Sequence, residues 1–344
     1  MSQSADNGVE QKRQPRVGGV VIGKNEGARL VRALEAVVGQ FATTVYVDSN
    51  STDGSREAAE KTGAVVVHLT SGPYTPSRGR QTGLEELLRR NPGVDYVQFI
   101  DGDCLLQPGW LETAVAYLDQ HAKVGAVFGR RREEKLDNFY SRLMDVDWNH
   151  PAGEVPNFGG DALVRAPAIT DAGGWSAATI NAEDIDVSFR IREKGWTIVR
   201  LATEMTLHDA RMTRFGEYWR RSVRAGYGYV EVGLRYRHGP GKMLLRRAAS
   251  SGFYVVVLPS VALAGALTCW PVVLVPAALY TRVFIGMTRF ARKRGATLPT
   301  SMAYAGLNIV CKAASFAGAV RAVADRFQGR GTPRDDLIVY RRAT

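Results

Sequence analysis

The chain has 344 residues, enough for one large α/β domain with an appendage, and a formal net charge of +11. That charge favours nucleotide sugars, lipid phosphates or anionic membrane over nucleic acid, because no DNA- or RNA-reading motif accompanies it. The cysteines Cys104, Cys269 and Cys311 stand far apart, which excludes a cysteine-based metal site and reads as three buried free thiols in a reducing compartment.

Met1–Arg16 is polar and has no apolar core, so it reads as a disordered tail and not a signal peptide. A buried strand follows at Val17–Ile22, then the turn Gly23-Lys24-Asn25-Glu26-Gly27 and a helix over Ala28–Val38. Leu30, Ala33, Leu34 and Val37 give that helix its apolar face. A second strand, Thr44–Asp48, closes on an acid and leads through helix-capping residues into a helix over Ser55–Thr62. Next come a strand at Val65–His68, a helix at Arg78–Arg90, a strand at Tyr96–Asp101, a helix at Pro108–Gln120 and a strand at Val124–Gly129. This alternation predicts a mostly parallel sheet with helices on both faces.

The fourth strand ends in Asp101-Gly102-Asp103. Two carboxylates at the carboxyl edge of such a sheet sit where open α/β folds bind ligands. They suit a hard divalent cation, Mg²⁺ or Mn²⁺, shared with phosphate oxygens, and the intervening glycine allows a tight turn. A Walker-type phosphate loop is excluded, since Gly23-Lys24 is not followed by Ser or Thr.

From Arg130 to Trp175 the periodicity is lost. Phe139, Tyr140, Trp148, His150 and Phe158 there either stack on a sugar ring or pack under a long loop. Asn181-Ala182-Glu183-Asp184-Ile185-Asp186 opens a helix that stops near Lys194-Gly195. Two short strands follow, at Trp196–Leu201 and Met205–Ala210, then a basic amphipathic helix over about Thr213–Tyr236. Its Arg214, Arg220, Arg221 and Arg224, with Arg211 before it, attach mostly to anionic lipid, while one or two hold a phosphate.

Phe253–Thr281 carries no charged residue, and both of its flanks are basic. Pro259, Pro271 and Pro276 oppose one straight helix, so a hairpin entering the membrane from the cytoplasmic face is expected, re-entrant or as two short passes. Met302–Phe327, with Lys312 and Arg321, reads as an interfacial helix. A buried hydrophobic subdomain is the alternative for this half. The expected division is a tail at 1–16, an enzyme domain at 17–210, basic linker helices at 211–250, a membrane hairpin at 251–290 and an interfacial helix and tail at 300–344.

The ordered set Asn25-Glu26, Val47-Asp48…Ser51-Thr52-Asp53-Gly54, Asp101-Gly102-Asp103, Gly159-Gly160-Asp161-Ala162-Leu163-Val164-Arg165 and Glu183-Asp184-Ile185-Asp186…Arg190…Gly195-Trp196 resembles family-2 glycosyltransferases with the GT-A fold. The resemblance covers about Val17 to Ala210. It implies a Rossmann-like mixed sheet with a C-terminal membrane-associated helical region. It also implies inverting transfer from a nucleotide-diphosphate sugar, UDP by default, to a lipid-linked or membrane-proximal glycan. The setting implied is the cytoplasmic face of an inner (plasma) membrane, in polysaccharide, cell-wall or glycolipid assembly.

Carried onto this chain, the resemblance makes Asp103 the metal ligand, with Asp101 sharing the metal or holding the ribose. His208 completes the metal site, Asp184 is the general base, and Glu183 binds acceptor or donor sugar. Asp48 recognises the nucleobase, Asn25 binds the nucleotide donor, Glu26 lies near the ribose, and Arg80 reaches base or phosphates. Gly160 and Asp161 form the loop beneath the donor sugar. One departure stands out: Arg80-Gln81 occupies a place where the family often has Arg-Asn. At a helix N-terminus Asp184 is expected to be ionised near neutral pH. A nucleotidyltransferase of similar core and a non-catalytic membrane-anchored nucleotide-binding protein are the rival readings.

Overall fold

The computed structural model describes residues 16–177 and 179–329. The predicted N-terminal tail, save Arg16, and the predicted tail over 330–344 lie outside the described residues.

Valine- and aromatic-rich segments form nine strands. They are β1 (Val17–Gly23), β2 (Thr43–Asp48), β3 (Val65–His68), β4 (Tyr96–Asp101), β5 (Cys104–Leu106), β6 (Val124–Glu133), β7 (Gly153–Glu154), β8 (Ala162–Arg165) and β9 (Thr197–His208). They make one sheet in the order β3-β2-β1-β4-β8-β6-β9-β5, with β7 paired to β9. The first four strands are mutually parallel, as right-handed strand–helix–strand units require. Strand β8 then runs antiparallel to both β4 and β6, so the sheet is mixed.

Alternation along the strands divides the core into two layers. Val20, Ile22, Val45, Val47, Val97 and Phe99 point to one face, under helices α3 (Pro76–Arg90), α6 (Ala166–Asp171) and α7 (Glu183–Glu193). Val21, Tyr46 and Ile100 point to the other, under α1 (Ala28–Glu35), α2 (Ser55–Glu60) and α4 (Trp110–Gln120). A buried side chain of this size contributes about 1.5–3 kcal/mol relative to leaving it exposed.

Helix α3 begins two residues earlier than its apolar spacing predicts. Pro76 is preset for the first turn, and the Thr75 hydroxyl accepts from Arg78 N–H as N-cap. Strand β6 runs past its predicted end at Gly129 to Glu133, because β9 is one bulged strand and not two, and pairs with it as far as Glu133 opposite His208. The stretch read as aperiodic loop holds β7, β8, α6 and helix α5 (Phe139–Trp148), whose cap is Asn138 accepting from Ser141 N–H at 2.9 Å.

The C-terminal part is helical: α8 (Phe215–Arg235), α9 (Gly241–Gly252), α10 (Leu258–Thr268), α11 (Leu274–Lys293) and α12 (Leu298–Phe327). Helix α12 crosses α8 closely. A Cβ at Gly226 would overlap the Ser315 carbonyl, and one at Gly318 the Val223 carbonyl. Helices α9 and α10 join into one helix, Gly241–Thr268, despite Pro259. Phe253–Val257 widens into a π-type turn just before the proline, which absorbs its missing N–H.

The chain reverses instead at Cys269–Val273, around Pro271, and returns as α11. Gly241–Thr268, Trp270–Lys293 and Leu298–Phe327 are each long and apolar enough to cross a membrane by length and composition. Leu267 is 77% exposed and Trp270 70%, an unusual display of large apolar side chains at the hairpin tip. Cys269 there is free but exposed, unlike the buried Cys104 and Cys311.

Candidate active site

The parallel strands end along one edge, and a cleft of about 1630 Å³ opens over it. The turn after β1 supplies Asn25 and Glu26 to its wall, the end of β4 and the turn after it supply Asp101 and Asp103, the turn before β8 supplies Gly160, and α7 supplies Glu183 and Asp184. Gly102 lies against β1. Its N–H donates to the Ile22 carbonyl at 2.7 Å, and an added Cβ would stand 3.0 Å from that oxygen. Close approach, more than turn geometry, is what demands glycine between the two acids.

Asp103 and His208 face each other across the cleft floor, with Oδ2 and Nε2 3.5 Å apart. Strand β9 lies between β5 and β6, so His208 is paired with Cys104 on one side and Glu133 on the other. The Glu133 carboxylate meets His208 Nδ1 at 2.7 Å and accepts the Trp148 indole N–H at 2.8 Å. Glu133 holds a proton at Nδ1 while Nε2 faces Asp103, so Nε2 offers a lone pair to a cation once its own proton leaves. Burial opposes charge on His208, but Asp103 and Glu133 outweigh it and raise its pKa to about 9. Burial likewise opposes the Asp103 carboxylate, yet His208 beside it holds that group well below the usual carboxylate range.

An ionised carboxylate and an imidazole nitrogen at this separation fit a hard or borderline divalent cation such as Mn²⁺. Cys104 Sγ lies in the same cluster. Burial pushes its thiol well above the ordinary value, so it stays protonated and is a poor ligand for a hard ion.

Asp101 is held differently. Arg80 Nη2 donates to its Oδ1 at 2.5 Å and Arg131 Nη2 to its Oδ2 at 3.0 Å. Arg80 also donates to Glu183 Oε1 at 2.9 Å, so one buried guanidinium ties the β4 acid to the α7 acid. Its other face lies over the Trp175 ring, 4.9 Å away. A Cβ at Gly160 would collide with this Arg80–Asp101 pair. Gln81, the departure from the family pattern, accepts the Trp175 backbone N–H at 2.7 Å and so packs the loop that leads to α7.

Two predicted donor contacts are buried, and of the two Asp161 lines the cleft while Asp48 does not. Asp48 is fully buried, and its carboxylate accepts from Tyr46 Oη at 3.1 Å and Ser51 N at 3.0 Å and meets His68 Nδ1 at 2.9 Å. Asp161 carries 2% exposure and accepts from Asp101 N–H, Arg131 and Thr206. Its carboxylate braces the floor, which Arg131 links to Asp101.

Asp184 opens α7, preceded by Ala182 in the left-handed region at φ 60°. Its Oδ1 accepts its neighbour Ile185 N–H at 2.9 Å. Burial first, and then the Glu183 carboxylate, push its pKa up to about 7. The expected full ionisation from the helix N-terminus is therefore overridden by desolvation and a like charge. Glu26 is raised to about 7 in the same way, by burial and then by Asp103, while pairing with Arg29. Asp186 does not face the cleft; it pairs with Arg190 at 2.8 Å and Arg235 at 2.6 Å and anchors α7 to α8.

Sequence reasoning did not find Arg131 and Glu133. The available signal is their spacing: two charged residues two apart in a strand, facing one side. Trp148, read as a sugar-stacking or packing aromatic, is partly buried and lines the cleft. Arg131 lies over its ring at 5.0 Å and Arg221 at 4.9 Å, and His208 stands edge-on at 5.8 Å.

Residues 20–179 match the model of glycosyl transferase family 2. The chain is 24% identical over 265 residues to glycosyltransferase AglE of Haloferax volcanii, covering 71% of this chain and 81% of that protein. It is 27% identical over 175 residues to the pre-mycofactocin glycosyltransferase of Mycobacterium tuberculosis, covering 47% of this chain and 35% of that one. Among solved structures, the S. aureus TarS fragment 1–349 superposes with a TM-score of 0.50 at 14% identity, covering 91% of this chain and 92% of that chain. The longer TarS chain gives the same TM-score at 15% identity, and this chain spans 55% of it. The likeness to TarS establishes a shared GT-A architecture, and the matched domain with its glycosyltransferase relatives establishes the activity. The chain is a glycosyltransferase, and its residues 20–179 match glycosyl transferase family 2.

Proposed function

We propose that the enzyme is inverting and metal-dependent, moving a sugar from a nucleotide-diphosphate donor, UDP by default, to a lipid-linked or membrane-proximal glycan. We assign it to the cytoplasmic face of an inner (plasma) membrane, in polysaccharide, cell-wall or glycolipid assembly. The observation that carries this reading is one cleft with two kinds of chemistry. Asp103 Oδ2 and His208 Nε2 converge on its floor, while the Asp184 carboxylate lines its wall.

Asp103 and His208 would hold Mn²⁺ or Mg²⁺, which when bound neutralises charge on the departing diphosphate. Asp184 takes the proton of the attacking acceptor hydroxyl, and its raised pKa suits a base working near neutral pH. Arg80 keeps Glu183 and Asp101 fixed relative to each other, so both ends of the donor site move together. Asn25, Glu26, Gly160 and Glu183 line the donor side of the cleft. Asp48 acts from behind it, its oxygens engaged by Tyr46, Ser51 and His68. The exposed apolar side chains of the α10–α11 hairpin support the membrane setting.

The test is nucleoside diphosphate release by purified protein from UDP-, GDP- and dTDP-sugars, with Mn²⁺, Mg²⁺ or chelator. Metal-dependent release from one donor, lost in Asp103→Ala, is the expected outcome. Pyrophosphate release, or metal-independent turnover, would overturn the reading.

A further inference from the structure

The C-terminal end of α5 is held by the turn between α11 and α12. The last carbonyls of a helix lack a regular partner within it and favour a cation nearby. Helix α5 has no basic residue in its own last turn. Arg294, far along the chain, supplies the charge: its Nη1 donates to the Val146 carbonyl at 2.9 Å and to the Asp147 carbonyl at 3.2 Å. Asn149 Nδ2 returns a bond to the Arg294 carbonyl at 2.9 Å, and Tyr304 Oη donates to Asp147 Oδ1 at 2.7 Å. Apolar packing backs these bonds. Leu143, Met144 and Val146 of α5 share one buried cluster with Ala291 of α11 and with Tyr304 and Cys311 of α12.

Trp148 stands between two tied residues, Asp147 and Asn149. Its indole N–H donates to Glu133 at 2.8 Å, Glu133 meets His208 Nδ1 at 2.7 Å, and His208 Nε2 lies 3.5 Å from Asp103 Oδ2. A continuous line of contacts therefore runs from α12 through α5 and the sheet to the floor of the cleft. The two helices that clamp α5 belong to Trp270–Lys293 and Leu298–Phe327, each apolar enough to cross a membrane.

We infer that the α11–α12 turn supports the metal site, with Tyr304 and Arg294 as positioning residues that act on His208 through Trp148 and Glu133. The inference rests on the reading of Asp103 and His208 as metal ligands. A hydrogen bond weakens steeply when its donor is misaligned, so the Trp148–Glu133 bond depends on where the end of α5 sits. A metal-binding imidazole in turn takes its orientation from the group on its other nitrogen. The apolar helices thus orient a metal ligand, beyond any part they play in attachment.

The test uses the full chain in detergent with saturating UDP. Mn²⁺ is titrated calorimetrically, and the melting temperature is read in the same buffer. Tyr304→Phe deletes one hydroxyl and keeps the ring in its cluster. It should weaken Mn²⁺ about three- to tenfold, below the roughly 10–100-fold typical of a direct outer partner such as Glu133. Arg294→Gln should act in the same direction. The double variant Tyr304→Phe/Trp148→Phe should bind Mn²⁺ within about twofold of Trp148→Phe alone, because both changes break one line of contacts. Cys311→Ala opens space in the same cluster without touching the Asp147 bond. It should lower the melting temperature and leave Mn²⁺ affinity within about twofold of wild type.

Three results overturn the inference. Undiminished Mn²⁺ affinity in Tyr304→Phe is one. Losses that add in full in the double variant are another, since they place Tyr304 outside the route through Trp148. The third is an equal loss of affinity in Cys311→Ala, which makes the effect a general loosening. Failure of the metal reading shows separately, as wild type that binds UDP but no Mn²⁺, and the inference falls with it.

Discussion

Glu133 on β6 and His208 on β9 are direct partners across the sheet, and the carboxylate meets the imidazole Nδ1 at 2.7 Å. Neither residue is near the other in sequence, and Glu133 makes no contact that its own segment announces. The pair fixes which nitrogen of His208 points at Asp103, 3.5 Å away. Glu133→Ala should leave the fold intact and weaken Mn²⁺ binding about 10–100-fold, measured by titration in the presence of UDP. Trp148→Phe removes the indole N–H from the same carboxylate and should weaken Mn²⁺ by a smaller factor. Undiminished Mn²⁺ affinity in Glu133→Ala would remove the pair from the metal site.

The pH dependence follows from Asp184. Its pKa is raised to about 7 by burial and by Glu183, and a base works only when deprotonated. Activity at low substrate should therefore rise with pH through about 7 and level off above it. Glu183→Gln removes the like charge, so the rising limb should move to lower pH. Asp184→Asn should lower kcat about 10²–10⁴-fold with donor affinity unchanged. A limb that stays in place in Glu183→Gln would assign it to another group.

Arg80 tests the link between the two acidic motifs. It is 2% exposed and bonded to both Asp101 and Glu183. Arg80→Ala leaves two half-buried carboxylates facing each other and should cost about 3–5 kcal/mol in chemical denaturation. Arg80→Lys has one compact ammonium for two partners and should fall between. The same loss of positive charge should push the Asp184 limb to higher pH. A stability change under about 1 kcal/mol in Arg80→Ala would show that the bridge is dispensable.

The hairpin predicts its own depth. Trp270–Thr281 is uncharged, and Arg282 follows on α11. At 1.5 Å per residue this uncharged part reaches about 18 Å, short of a hydrocarbon core of about 30 Å, so a full crossing by Trp270–Lys293 would carry Arg282 into the core. A re-entrant hairpin is therefore expected. Cys269 at its tip should resist a membrane-impermeant maleimide from either side of sealed vesicles and react once detergent is added. Labelling from the far side alone would establish two full crossings.

The parallel half of the sheet was legible because each of its strands carries its signal locally. Val20–Ile22, Val45–Val47 and Val97–Ile100 alternate between two buried faces and each meets a turn, so length and pattern suffice. The second half was not. Strand β9 is continuous through three register shifts because β6 pairs with it, a fact held in two segments some seventy residues apart. Proline punctuation was ambiguous for a similar reason: Pro259 sits inside a helix that a π-type turn relieves, while Pro271 marks the reversal.

The site divides the same way. Sequence by itself determined the acids that end strands and open helices, Asp101, Asp103, Glu183 and Asp184, since those positions follow from where backbone elements stop. Only the tertiary structure decided their partners and charge states. It buried the carboxylates of Asp48 and Asp161, put Arg80 between Asp101 and Glu183, and brought Glu133 to His208. Hydrogen bonds and desolvation depend on what lies across the sheet, and a linear pattern does not carry that information.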